Sequence, residues 1–237
     1  MSSQPFVLPE KGSGKKMKRQ EQLMIQKTER YVRKELENEA SGHDWWHIHR
    51  VRNLVLTIAA HEKEPTIDPF VCEMSALLHD IPDEKLNESL EAGERKVRNW
   101  LEELKLEKKK SDEILAIVLH LSYKGGTNKV ELQTIEGKIV QDADRLDAIG
   151  AIGIARTMAY SGAHGRLIHD PNKKPREEMT LEEYRSGNDT AILHFYEKLL
   201  KLKDTIHTNY GKKIAADRHR YMELFLEEFY QEWDGKK

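Results

Sequence analysis

The sequence predicts an all-α fold, a single helical bundle, because apolar residues recur at three- and four-residue intervals along most of the chain while strand-like alternation is almost absent. Proline placement agrees. Six of the seven prolines fall between periodic runs, where they separate helices rather than break them.

Residues 1–20 are rich in Gly, Ser, Pro, Lys and Arg and offer too little apolar surface to offset ordering, so they are expected to form a flexible tail before a domain over 21–237. Periodicity starts after Gln22 with Leu23, Ile25 and Val32. A clear stripe follows in Val51, Leu54, Val55, Ile58 and Ala59. The apolar run Ser75-Ala76-Leu77-Leu78 closes on His79 and Asp80, and Pro82 is expected to stop that helix as the polar pair is delivered. Further helices are predicted over 89–106, 111–121 and 136–160, with a loop at Lys124-Gly125-Gly126-Thr127-Asn128. Thr180-Leu181-Glu182-Glu183 fits a capping box, and 192–202 with 215–233 reads as a closing pair. The sum is eight or more helices.

The 237 residues suffice to bury a core without disulfides, and the lone Cys72 can form no internal one, which points to a reducing compartment. Charged residues make up 34% of the chain yet sum to −2, so no extended nucleic-acid surface or pull toward anionic membrane is indicated. No apolar stretch approaches a membrane span, and the amino terminus lacks the apolar centre of a signal peptide. A cytoplasmic location is expected.

Three polar islands interrupt the apolar helices: Gly42-His43-Asp44-Trp45-Trp46-His47-Ile48-His49-Arg50-Val51, the pair His79-Asp80, and Gln141-Asp142-Ala143-Asp144-Arg145-Leu146-Asp147. Imidazole and carboxylate left bare at the edge of a core are costly, and together they suit a divalent cation. Two His and two Asp can hold one ion and leave a position open, so His47, His79, Asp80 and Asp144 are the expected ligands. Nitrogen and oxygen donors favour Mn, Mg, Fe, Co, Ni or Zn over a thiolate-preferring metal. Such an ion brings the pKa of bound water toward neutrality.

The ordered set His47 in His-x-x-Arg-Val, His79-Asp80, and Asp144 in Asp-Ala-Asp-Arg-Leu-Asp resembles the H…HD…D signature of the HD superfamily of metal-dependent phosphohydrolases, over roughly residues 40–165. Within it, the likeness is nearest to bacterial HD-domain nucleotide pyrophosphohydrolases, on His43-Asp44-Trp45-Trp46-His47 and on 141–150. The resemblance implies an all-helical fold and hydrolysis of a phosphoanhydride or phosphoester bond, with a nucleoside or deoxynucleoside triphosphate as the expected substrate. Phosphomonoesterase and phosphodiesterase activities stay open. It also implies that Asp83, three residues after Asp80, acts as general acid or base, and that His120 faces the site to bind phosphate or a second ion.

Phosphate chemistry calls for cations beside the metal, and Arg50, Lys85, Lys124 and Arg145 are the candidates. Asp44 either lines the site or caps its helix; Asp142 and Asp147 are expected to orient neighbours; Trp45 and Trp46 pack core or rim, or form a base platform. Two rival readings remain. His43 and His47 stand at i and i+4 with an acid between, as in a zinc peptidase, although that leaves His79, Asp80 and Asp144 without a role. A binding module that keeps the metal and turns nothing over is the other.

Overall fold

The computed structural model describes residues 17–37, 44–84, 86–121, 131–176 and 190–237. Among them nine α-helices and one 3-10 segment follow in the order α1 (Arg19–Glu35), α2 (Trp45–His61), α3 (Pro69–Leu78), α4 (Leu90–Glu103), α5 (Lys108–His120), α6 (Ile135–Asp147), α7 (Gly150–Ala163), α8 (Ala191–Glu197), the 3-10 segment Leu199–Thr205, and α9 (Asn209–Trp233). No strand occurs among the described residues. The expected loop at 124–128 and the capping box at 180–183 lie outside them, as do residues 1–16.

Helix α3 is the centre of the fold. Asp68 caps it by accepting the Phe70 N–H, Pro69 opens it, and every residue from Phe70 to Leu78 is buried. Helices α1, α2, α5 and α6 pack around it, and α9 lies across α6, α7, α2 and the 3-10 segment. Each fully buried Leu, Ile or Phe of this core contributes about 1.5–3 kcal/mol. The one charge inside α3, Glu73, is held by the Arg52 guanidinium at 2.8 Å, which also reaches Glu29 at 2.9 Å, so its burial leaves no bare carboxylate.

Helix α3 stops at Leu78, four residues before Pro82. Ile81 N–H donates to the Leu78 carbonyl and Asp83 N–H to the Asp80 carbonyl, each at 3.0 Å, so two successive turns carry His79 and Asp80. Asn87 ties this stretch down by donating to the carbonyls of Ile81 at 2.7 Å and Asp83 at 2.9 Å. Helix α4 closes over it at Gly93, where a Cβ would stand 2.6 Å from Pro82 Cα and from the Pro82 carbonyl oxygen.

The single helix expected over 136–160 is two. Helix α6 ends at Asp147, and Gly150 restarts the chain with φ +76°, a conformation that a side chain disfavours. Apolar spacing runs straight through this corner, which is why periodicity alone reads it as continuous. The run 192–202 likewise divides at Lys198 into α8 and the 3-10 segment. Helix α5 begins at Lys108 rather than 111, and α9 begins at Asn209 rather than 215 because the Thr208 hydroxyl accepts the Gly211 N–H. The first helix starts at Arg19, inside the stretch expected as tail.

Gly93→Ala is expected to destabilise the protein by about 1–3 kcal/mol through this backbone clash. Chemical denaturation of the purified variant checks it.

Candidate metal centre

Each imidazole of the central pair has one nitrogen committed to the protein. His79 Nδ1 lies 2.8 Å from the Ala76 carbonyl, an acceptor only, so that nitrogen carries the proton. His47 Nδ1 lies 2.8 Å from Asp147 Oδ2 and donates to it in the same way. Both rings therefore turn Nε2 inward, and the two Nε2 atoms face each other at 3.1 Å. Asp80 approaches to 3.4 Å of each, through Oδ2 to His47 and Oδ1 to His79. Asp144 Oδ1 comes within 3.5 Å of His47 Nε2 and 3.9 Å of His79 Nε2.

Two neutral imidazoles so oriented would oppose lone pair to lone pair, with two carboxylates adding negative charge. A cation resolves that arrangement. Donor atoms about 2.1 Å from one ion stand roughly 3.0 Å apart at a right angle and about 3.4 Å apart at the tetrahedral angle, so the observed separations suit a shared divalent ion. One donor atom from each of His47, His79 and Asp80 lies within 4.8 Å of the others, and all three residues are buried. Asp144 stands on the open flank, its side chain 29% exposed.

Three carboxylates bear on His47. Burial pushes its pKa down, but the hydrogen bonds to Asp144 and Asp147 and the charge of Asp80 outweigh burial and lift it to about 9. Burial likewise raises the Asp144 carboxyl, and the hydrogen bond from His47 with the charge of His79 reverses that to a net lowering. Asp147 is held well below the usual carboxylate range. Its burial is overcome by hydrogen bonds from His47 and Arg50 and by the charge of Arg156.

The surroundings aim these groups. Asp44 is the N-cap of α2, its Oδ1 accepting the His47 N–H at 2.8 Å, so of its two expected roles it takes the capping one. Arg50 grips Asp147 with both ends of its fork, Nε to Oδ1 at 2.7 Å and Nη2 to Oδ2 at 2.9 Å. Arg50, a candidate for phosphate by sequence, thus has Asp147 as its partner. Arg145, another such candidate, donates through Nη1 to the Thr205 carbonyl and stands 3.5 Å from His207 Nε2, which anchors α6 to the segment before α9. Asp142 accepts the His207 N–H through Oδ1 at 2.9 Å and the Thr208 N–H through Oδ2 at 2.7 Å, tying the same segment with both carboxylate oxygens.

Asp83 sits half-buried in the turn after Asp80, and His120 ends α5, half-buried. Lys85, Lys124 and His43 lie outside the described residues. Trp45 is buried under the Arg33 guanidinium at 4.0 Å, while Trp46 is 60% exposed. The partners of His47 across the centre come from the turns after α3 and from α6, far along the chain.

Sequence reasoning missed Arg156, whose Nη1 donates to Asp147 Oδ2 at 2.7 Å. On one unbroken helix nine residues would separate Asp147 from Arg156 by about 13 Å of rise. The corner at Gly150 folds α7 back and brings them together.

A family model described as HD domain matches residues 45–149, the stretch that holds all four inward-facing side chains. The Bacillus subtilis protein YpgQ is 34% identical over 222 residues, which span 93% of this chain and 97% of that one. A crystal structure of an HD-superfamily hydrolase from Bacillus thuringiensis is 48% identical, covers 90% of this chain and 98% of its own, and superposes with a TM-score of 0.73. YpgQ crystallised in complex with ADP is 31% identical in the aligned region, covering 90% of this chain and 96% of that one, with a TM-score of 0.70. Among the described residues no helix is long and apolar enough to cross a membrane.

Metal uptake must displace the extra proton that His47 holds below pH about 9. Between pH 6 and pH 8 the apparent affinity for a divalent ion is therefore expected to rise with pH, by about tenfold per unit, with one proton released per ion. Isothermal titration calorimetry in buffers of different ionisation enthalpy measures both.

Proposed function

The chain belongs to the HD domain family of metal-dependent hydrolases, and on that premise we propose that it hydrolyses a phosphoanhydride bond of a nucleotide, a nucleoside or deoxynucleoside triphosphate. The observation that carries the reading is the inward-facing set of two Nε2 atoms and two carboxylates, open on the Asp144 side. The complex of YpgQ with ADP supports a nucleotide as the ligand.

His47, His79, Asp80 and Asp144 would hold the ion. When bound there, a divalent ion supplies electrophilic assistance to a phosphoryl oxygen and makes water available as a nucleophile near neutral pH. The two carboxylates match its double charge, and the two imidazoles, with both Nδ1 protons committed elsewhere, offer bare Nε2 donors. Asp83, one turn past Asp80 and joined to it by its own N–H, is the proposed proton carrier. A triphosphate carries more charge than one dication neutralises, so Lys124 and His120 are proposed to meet the remainder. Burial of His47, His79 and Asp80 keeps bulk water from screening these charges.

The test is a screen of chelated and reloaded protein, with Mn, Mg, Co, Ni or Zn, against nucleoside mono-, di- and triphosphates. Chromatography of the nucleotide product separates release of pyrophosphate from release of phosphate. Turnover of triphosphates to monophosphates with pyrophosphate is expected. A metal-loaded protein that cleaves a simple phosphoester and leaves every nucleotide intact would overturn the substrate assignment.

Asp80→Ala is expected to lose bound metal and to lower turnover by more than the ~10–100-fold typical of removing an outer partner. Metal also stabilises only the folded state, so loading at a hundred times Kd should add about 2.7 kcal/mol to wild-type stability and nothing to Asp80→Ala. Thermal denaturation with and without chelator reads the difference.

A further inference from the structure

Asp147 Oδ2 accepts three hydrogen bonds at once: from His47 Nδ1 at 2.8 Å, Arg50 Nη2 at 2.9 Å and Arg156 Nη1 at 2.7 Å. The donors come from α2 and α7, while the acceptor ends α6. Arg156 Nη1 also stands 3.3 Å from His47 Nδ1. Two N–H donors that close repel each other unless an acceptor lies between them, and Oδ2 is that acceptor. Were Asp147 to swing aside, Arg156 would face the imidazole directly and favour a bare Nδ1, which moves the ring proton to Nε2 and closes that nitrogen to a cation.

We propose that Arg156 is a positioning residue for the metal centre: by pinning Asp147 against His47 Nδ1 it fixes a ring proton there and leaves Nε2 as the nitrogen turned to the ion. The assignment rests on the metal reading of His47. Arg50 holds both carboxylate oxygens from the side of α2, which sets the plane of the carboxylate. Arg156 approaches from α7 and closes the remaining direction of escape. Arg218, on α9, donates to the Leu146 carbonyl and packs against Gly150, so the corner between α6 and α7 is itself braced. Asp147 is 1% exposed, and its charge is balanced by these cations rather than by water.

The experiment compares wild type, Arg156→Gln and Arg156→Lys by zinc titration calorimetry and by proton NMR of the zinc-loaded proteins, following the His47 Nδ1–H resonance. Arg156→Gln is expected to loosen zinc by about 10–100-fold and to lose the Nδ1–H signal to solvent exchange, and Arg156→Lys to recover both in part. Zinc affinity within about twofold of wild type with the proton signal retained overturns the proposal, whether or not the melting temperature falls. So does a raised KM for a nucleotide at unchanged zinc affinity, which would make Arg156 a substrate contact. Failure of wild type to bind any divalent ion is visible before the variants are compared and overturns the metal reading itself.

Discussion

Two imidazole Nε2 atoms held 3.1 Å apart and turned toward two carboxylates are the constraint on which the structure turns. It is imposed from outside, by the Ala76 carbonyl behind His79 and by the Asp147 carboxylate behind His47. Each removes one tautomer, and what remains is a space with the donors of a metal site and the charge deficit that a cation fills.

The helices are arranged to sustain this. Helix α3 is buried from Phe70 to Leu78 and ends where the inward-facing pair begins, so a helix held on all sides by the core delivers His79 and Asp80. Helix α2 starts at Asp44, three residues before His47, and the capping hydrogen bond ties the start of the helix to the residue that faces the centre. Helix α6 presents Asp144 and Asp147 one turn apart, the first toward the two imidazoles and the second to the back of one of them. One helix thus serves both faces of the same ring.

Much of this was legible in the chain. Helical spacing announced the fold class, and polar residues at the ends of apolar runs marked His47, His79, Asp80 and Asp144 as groups needing partners; the structure brings their side chains together. Asp147 was readable as an orienting residue because one turn of helix can send only one carboxylate inward. The arginines were not readable. A guanidinium reaches far enough to serve substrate, solvent or a distant carboxylate, and local pattern does not distinguish them, so the contacts of Arg50 with Asp147 and of Arg145 with the Thr205 carbonyl could not be foreseen. Arg156 was hidden by the corner at Gly150, where apolar periodicity continues while the backbone turns.

Helix α9 comes last among the described elements, yet its Arg218 braces the carbonyl of Leu146, and Asp142 on α6 holds the backbone just ahead of it. The shell behind His47 is therefore finished by residues that leave the ribosome about 170 positions after that histidine, in a chain whose domains fold as units. By then His47, His79, Asp80 and Asp144 have all been made, so what the last helix adds is the bracing of the corner behind them.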